Sequence, residues 1–453
     1  MKMKDMKMIG LVLVLVLHVA GCAPSDDDAT TKDIVAADPE TIKIGLLLPF
    51  SGTLVCTGNY RKAAAELAVA EINQSGLLDK KLELAAEDDE TDPDKGVAAA
   101  ERLRQSGVVA IIGSAASSVT IKAAEQVSIP NDILQVSPSS TSPLITSVSD
   151  NGLLWRTAPS DVYQGKIAAS YAKGTLGKTT AGIIYVDNAY GQGLAGAFKA
   201  EFEKAGGTVL SSVPYQALKD TEVALHDFTS AVSTLMTGNP ELVYLVSYYL
   251  DGAKITLAMK QHVTASYKPL LMGVDGNYGS VFLANADADV VEGMVGTAPS
   301  PPLEDVNYKT FSVNYKAMYG LEPPIYTANT YDAVYLLAYA MLKANSTASR
   351  DVAARLLEVS REGEAVNVAQ FADGKAKIAA GTDINYEGAS GKVDFDESGD
   401  ITSGSYLIWK VANNEFASET MAEFSDSGIT MSQARAIFPL LSPARTSALC
   451  SQL

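Results

Sequence analysis

What most constrains this chain is an alternation that runs through it twice. From Thr41, "TIKIGLLLPF" reads as a buried strand ended by Pro49, and "YRKAAAELAVAEINQSG" as a helix closed by Gly76. "KLELAAEDD" reads as a strand, and "DPDKGVAAAERLRQSG" as a helix with Asp92 as N-cap, Pro93 first and Gly107 beyond its end. "VVAIIGS", "SSVTIKAAEQVS" and "DILQVSPS" continue as strand, helix and strand. Strands joined through helices lie parallel, with the helices covering both faces of the sheet.

"LLWRTAPSD" interrupts that rhythm, and a second series runs from "YQGKIAASYAKGTLG" to "YKPLLMGV". "VEGMVGTAPSPP" is a second break, before the long apolar helix "ANTYDAVYLLAYAMLKA". "GKVDFDESGDITSGSYLIWKV" reads as a hairpin-like pair of strands around "DESG". The expected fold is therefore α/β: two similar lobes with parallel sheets flanked by helices, joined by a multi-strand hinge. Lobe one takes residues 41–157 and 295–390, lobe two takes 158–294 and 391–412, and 413–453 forms a C-terminal extension. Such lobes bind ligands in the cleft between them, at the carboxyl ends of the strands, and close about the hinge.

The N-terminus bears on location. Lys2, Lys4 and Lys7 precede the apolar run Ile9–Leu17, which is too short to span a bilayer as a stable helix. Val19-Ala20-Gly21-Cys22 follows, so residues 1–21 read as a lipoprotein export signal and Cys22 as its lipidated residue. Residues 22–40 are a polar tether. The protein is expected in the cell envelope, anchored to a bacterial membrane by its lipid. A net charge of −18 and the lack of a basic patch argue against nucleic acid as a partner. In an oxidising compartment Cys56 and Cys450 can pair; two free thiols are the alternative. No metal or cofactor is expected.

Several motifs point to enzymes and fail on inspection. Gly191-x-Gly193-x-x-Gly196 has dinucleotide spacing, but "DNAY" separates it from its strand. The next strand, "TVLSSVPY", also ends without the acid that would meet a ribose. A glycine-rich helix start is the better account. Gly177-Lys178-Thr179 lacks the earlier glycine of a P-loop and reads as a helix C-cap. "DFDESGD" has calcium-loop spacing, but Ser405 stands at the twelfth position, so a solvated turn is expected.

What remains are polar loops at strand ends. Ser114, Ser117, Ser118 and Thr120 follow one strand; Ser139, Ser140 and Thr141 follow the next. Hydroxyls and backbone N–H groups there suit a carboxylate. Tyr190, Tyr248, Tyr249 and Asp275 end strands of the second series and suit an ammonium.

In order, "IKIGLLLPFSG", "AAAELAVAEINQSG", "AIIGSAASSVT", "SPSSTSP", "RTAPSD", "DNAYGQG", "EGMVGTAP" and "YDAVYLLAYA" resemble the branched-chain amino acid-binding proteins of ABC transporters. These have the type I periplasmic-binding fold, and the likeness runs from about Thr41 to Val411. The resemblance implies that Ser117 binds the ligand carboxylate and that Ser139 and Thr141 contact carboxylate and ammonium. It puts Tyr190 and Tyr248 on the second lobe's side, with Tyr249 the alternative register. Asp275 stands where the family often has a glutamate that pairs with the ammonium. Thr57 stands where branched-chain-specific members carry an aromatic. The expected partners are a small amino acid-type ligand, an ABC permease and the membrane; the expected state is a monomer, with no catalysis. A sensing protein for amides or for aromatic or aliphatic acids is the second hypothesis, and an exported α/β enzyme the third.

Overall fold

Thr41–Leu48 starts the first sheet because its apolar run can be buried only between two layers of helix. The computed structural model describes residues 40–425 and 427–432. In it β1 (Thr41–Leu48), β2 (Lys81–Asp88), β3 (Ala110–Gly113), β4 (Leu134–Ser137) and β5 (Leu154–Arg156) pair in parallel, in the order β2-β1-β3-β4-β5. The crossovers carry α1 (Val55–Asn73), α2 (Pro93–Gln105) and α3 (Ser117–Ala123). The ends of α2 are as its sequence dictates. The Asp92 carboxylate accepts from the Asp94 and Lys95 N–H groups, Pro93 leads, and Arg102 and Arg104 fill the last turn.

α4 (Asp161–Ser170) carries the chain across to a second sheet. There β6 (Thr180–Asp187), α5 (Ala189–Lys204), β7 (Thr208–Gln216), β8 (Leu242–Val246), β9 (Leu270–Gly273) and β10 (Val295–Ser300) follow. The chain then returns to the first lobe, where β11 (Glu364–Asn367), β12 (Ile384–Gly388) and β13 (Gly391–Lys392) make a small third sheet. It crosses again to β14 (Gly404–Ala412), β15 (Glu415–Ser425) and β16 (Gly428–Ser432). The second sheet runs β16-β15-β14-β10-β9-β8-β6-β7; β6 to β10 are parallel and β14 to β16 antiparallel.

The helix Thr327–Ala344 is buried on every side from Thr327 to Met341, as expected of a helix apolar all round. It lies against α1, where the Tyr331 and Tyr335 hydroxyls donate to the Glu71 carboxylate, Tyr335 at 2.6 Å.

Three boundaries differ from the sequence expectation. Residues 295–300 belong to the second sheet, not to the first lobe. β9 ends at Gly273, opposite Gly296, so Pro299 runs past it and lacks no ladder bond on that side. Gly391–Lys392 stays with β12, and the crossing to lobe two falls within 393–403. Residues 415–432 are not an appendage. They turn back at Asn413 and Asn414, both at positive φ (55° and 59°), and continue the second sheet. The long hairpin therefore forms there; around "DESG" the flanks make one antiparallel bridge, Phe395 to Ile401.

The turn in "DFDESGD" is solvated only at its tip, Glu397-Ser398. The Asp396 carboxylate accepts from the Ser398 and Asp400 N–H groups, and Asp400 is buried against Arg156, itself fully buried. Thr157 and Asn329 exchange bonds beside this pair, the Thr157 hydroxyl to the Asn329 carbonyl at 2.9 Å and the Asn329 amide to the Thr157 carbonyl at 2.7 Å. The segments where the chain changes lobes are thus fastened to one another and to the start of the helix Thr327–Ala344. Among the described residues no helix is long and apolar enough to cross a membrane. Cys22, Cys450 and the side chain of Cys56 lie outside the described residues.

Candidate functional site

The loop after β3 is short, and β3 and β4 both give way at once to turns rich in hydroxyls. Those hydroxyls knit the two loops together. Ser137 and Ser140 donate to the Ser114 carbonyl at 2.7 and 3.1 Å, and Thr120 meets Ser140 at 2.8 Å. Ser114 in turn donates to the fully buried Asp89, whose pKa burial pushes up to about 6. Bonds between the two loops and to Asp89 engage most of these groups; Ser117, Ser139 and Thr141 reach the cavity.

That cavity has a volume of about 820 Å³ and is lined from both lobes, within the usual range for small-ligand sites. Thr57, Ser117, Ser139, Thr141, Tyr190, Tyr248 and Asp275, spread over more than two hundred positions of sequence, all line it.

Their hydrogen bonds decide what each can still do. Ser117 Oγ accepts from the Ser142 N–H at 3.2 Å, which leaves its own proton free to donate. Ser139 Oγ makes only a long bond, 3.3 Å, to the Ala115 carbonyl. Thr141 differs from expectation: its hydroxyl donates to Asp161 at 3.0 Å, so toward a ligand it can only accept. The Thr57 hydroxyl donates to the Leu54 carbonyl at 2.7 Å.

Asp275 is the hub of the second wall. It accepts from the Tyr190 hydroxyl at 2.7 Å, the Tyr326 hydroxyl at 2.8 Å and the Gln164 amide at 3.2 Å. Tyr190 therefore orients Asp275 and has no proton left to donate. Tyr190 also stacks on Tyr248, with centroids 5.5 Å apart. Burial raises the pKa values of Asp275 and Asp161, and the charge of Asp275 raises Asp161 further. The donors around Asp275 favour its anion.

The opening glycines of α5 are packing devices. Asn188 caps the helix by accepting from the Gly191 N–H at 3.0 Å. A Cβ on Gly191 would lie 1.9 Å from the Val186 carbonyl, and one on Gly193 would lie 2.6 Å from Pro143 Cδ of the other lobe. Beside it the Ser142 hydroxyl donates to the Ala189 carbonyl at 2.7 Å. Lys178 likewise behaves as a C-cap residue, its N–H bonding back to the Ala172 carbonyl at 3.0 Å.

Residues 60–414 match the receptor family ligand binding region. The chain belongs to this family. The Leu/Ile/Val-binding protein homolog 3 of Brucella melitensis is 27% identical over 389 residues, covering 84% of this chain and 94% of the relative. The leucine-, isoleucine-, valine-, threonine- and alanine-binding protein of Pseudomonas aeruginosa is 27% identical over 377 residues, covering 83% and 91%. Among solved structures, the leucine-binding protein LivK of Thermotoga maritima superimposes with a TM-score of 0.71 at 26% identity, covering 85% of this chain and all but 1% of its own. The resemblance to branched-chain amino acid-binding proteins and the type I periplasmic-binding fold both stand. As a member of this family the chain is a binding protein and not an enzyme.

Two members of the site were not read from the sequence. Arg61, on α1, lines the cavity with only 4% of its surface exposed. Its neighbours "YRK" look like the solvated start of a helix. Tyr326 stands at φ 67° just before the long buried helix. A tyrosine in the left-handed region has no sequence signal, and Pro323 and Pro324 mark only that the preceding helix cannot run through.

Proposed function

We propose that this chain is the extracytoplasmic, lipid-anchored solute-binding protein of an ABC transporter, which takes a small amino acid-type ligand into the cleft and delivers it to a permease. The observation that carries this reading is the opposition of Ser117, whose proton is free to donate, to Asp275, a buried carboxylate on the other wall of the same cavity. A zwitterion satisfies both ends. The carboxylate meets the hydroxyls of the first lobe, and the ammonium meets Asp275 and the Thr141 oxygen. Tyr248 closes the side. Binding across the two lobes favours the closed arrangement only by the difference in affinity between closed and open forms. The names of the relatives support an amino acid as ligand.

A calorimetric and thermal-shift screen of the purified protein against the amino acids, small amides and aromatic acids tests it. An amino acid at about 100 times its Kd should add ~2.7 kcal/mol of stability. Hits confined to acids lacking an amine would overturn the zwitterion reading. For the anchor, Cys22→Ala should release the protein from membranes on fractionation, and continued membrane association would count against it.

A further inference from the structure

Three cations line the cavity: Arg61, Lys309 and Lys316. Lys309 pairs with Glu304 at 2.7 Å, and Lys316 pairs with Glu322; both lysines are largely exposed. Arg61 is unlike them. It is almost wholly buried, and among the described residues no carboxylate lies within ion-pairing distance of it. Its Nη1 donates to the Thr57 carbonyl at 2.9 Å, whereas Nε is buried with no partner at all. The guanidinium sits over the Tyr326 ring, 5.4 Å from its centroid. The hydroxyl of that ring donates to Asp275. Arg61 and the ammonium-binding carboxylate are therefore one tyrosine apart along the same wall.

A buried guanidinium without an anion is an unfinished interaction. Removing it from water is costly, and a face-on tyrosine with one carbonyl compensates only in part. Asp89 and Asp275 are near enough for their charges to favour the cation, yet neither touches it. Asp275 is already bonded by Tyr190, Tyr326 and Gln164, and Asp89 by Ser114. What the position lacks is a planar anion with access from the cavity, and a carboxylate fits a guanidinium fork by two parallel bonds.

Resting on the amino acid reading above, we propose that Arg61 is a specificity-determining residue. It binds a second carboxylate, carried on the ligand's side chain, and the substrate class is acidic amino acids. The backbone carboxylate lies at Ser117 and Ser139, the ammonium at Asp275, and the side-chain carboxylate at Arg61. An uncharged isostere such as glutamine would leave the guanidinium only partly satisfied.

Calorimetry on the full-length protein in detergent, with glutamate, 2-aminoadipate, glutamine and leucine as titrants, tests this against Arg61→Met and Arg61→Lys. The wild type should bind an acidic amino acid more tightly than glutamine or leucine. Arg61→Met should weaken the acidic ligand by roughly 30-fold or more while changing glutamine little. Arg61→Lys, which keeps the charge, should retain the acidic preference. A wild type that binds leucine or glutamine as tightly as glutamate overturns the inference and leaves the amino acid reading intact. Equal losses for every amino acid in Arg61→Met also overturn it, because they put the backbone carboxylate on Arg61. Binding of no amino acid at all overturns both.

Discussion

Arg156 grips Asp400 with two bonds, Nε to Oδ1 at 2.6 Å and Nη2 to Oδ2 at 2.8 Å, across 244 positions of sequence. Nη1 adds a bond to the Ser142 carbonyl, and Thr146 donates to the same carboxylate. The pair joins the end of β5 to the last crossing strand, so it sets where the lobes are fastened. Breaking one half leaves a buried charge alone, at a cost of about 3–5 kcal/mol. Arg156→Met should lower the stability measured by urea unfolding by that amount, and Arg156→Met with Asp400→Leu should recover most of it. A single variant within 1 kcal/mol of the wild type, about the scale of an exposed pair, would contradict this account.

Asp275→Asn separates binding from folding. The amide still meets Tyr190 and Tyr326, but the charge partner for an ammonium is gone. Amino acid affinity should fall by about 2–5 kcal/mol, while the ligand-free Tm should not fall, because a desolvated charge has been removed. Calorimetry and differential scanning calorimetry read the two effects. Unchanged affinity would take the ammonium away from Asp275.

At Gly193 the second lobe packs against the Ser142-Pro143 loop of the first with no room for a side chain. Gly193→Leu should prop the lobes apart without disturbing either core. Ligand affinity should drop at least tenfold, and the radius of gyration by small-angle scattering should no longer shrink on adding ligand. Normal compaction in this variant would mean that the contact does not govern closure.

The pH dependence of stability has a definite sign. Asp89, Asp251 and Asp332 are each pushed up to about 6 by burial, above the ~3.9 of an exposed aspartate. The folded chain thus holds protons that the unfolded chain releases between roughly pH 4 and 6. Stability from these groups is fully present below the unfolded value and is lost as pH rises through 6. Asp88 and Asp92, both lowered by bonds from N–H or hydroxyl donors despite burial, act oppositely, but only at more acidic pH. Ligand-free protein should melt higher at pH 5 than at pH 7.5. Asp251→Asn, which still accepts from the Tyr215 hydroxyl, should flatten the slope. An identical slope in that variant would remove Asp251 from the explanation.

The parallel sheets, their crossovers and seven cavity residues were legible in the sequence for one physical reason. Buried strands write continuous apolar runs, and the residues just after them fall together wherever the sheets are open. Thr57 to Asp275 meet because strand ends meet. Arg61 was illegible because nothing local distinguishes a helix face turned to solvent from one turned into a cleft. Tyr326 was illegible because its conformation is imposed by the buried helix that follows. The hairpin at Asn413-Asn414 did carry a turn signal, and "DESG" a louder one. Asp400 answered to a partner 244 residues away, which no local pattern contains.

The helix Thr327–Ala344 is hidden on every side, and α1 holds it through Glu71. The strands of the first sheet are made before any of the second lobe, yet the helix that completes their layer is made after β6 to β10. As the chain emerges end first, the first lobe must wait with Glu71 and the inner face of α1 uncovered until more than two hundred further residues have appeared. The second lobe has nearly its whole parallel sheet by then. Each lobe thus waits on chain made after it, the first on this helix and the second on β14 to β16, and the earlier half of the molecule is the one with the longer exposure to chaperones and proteases.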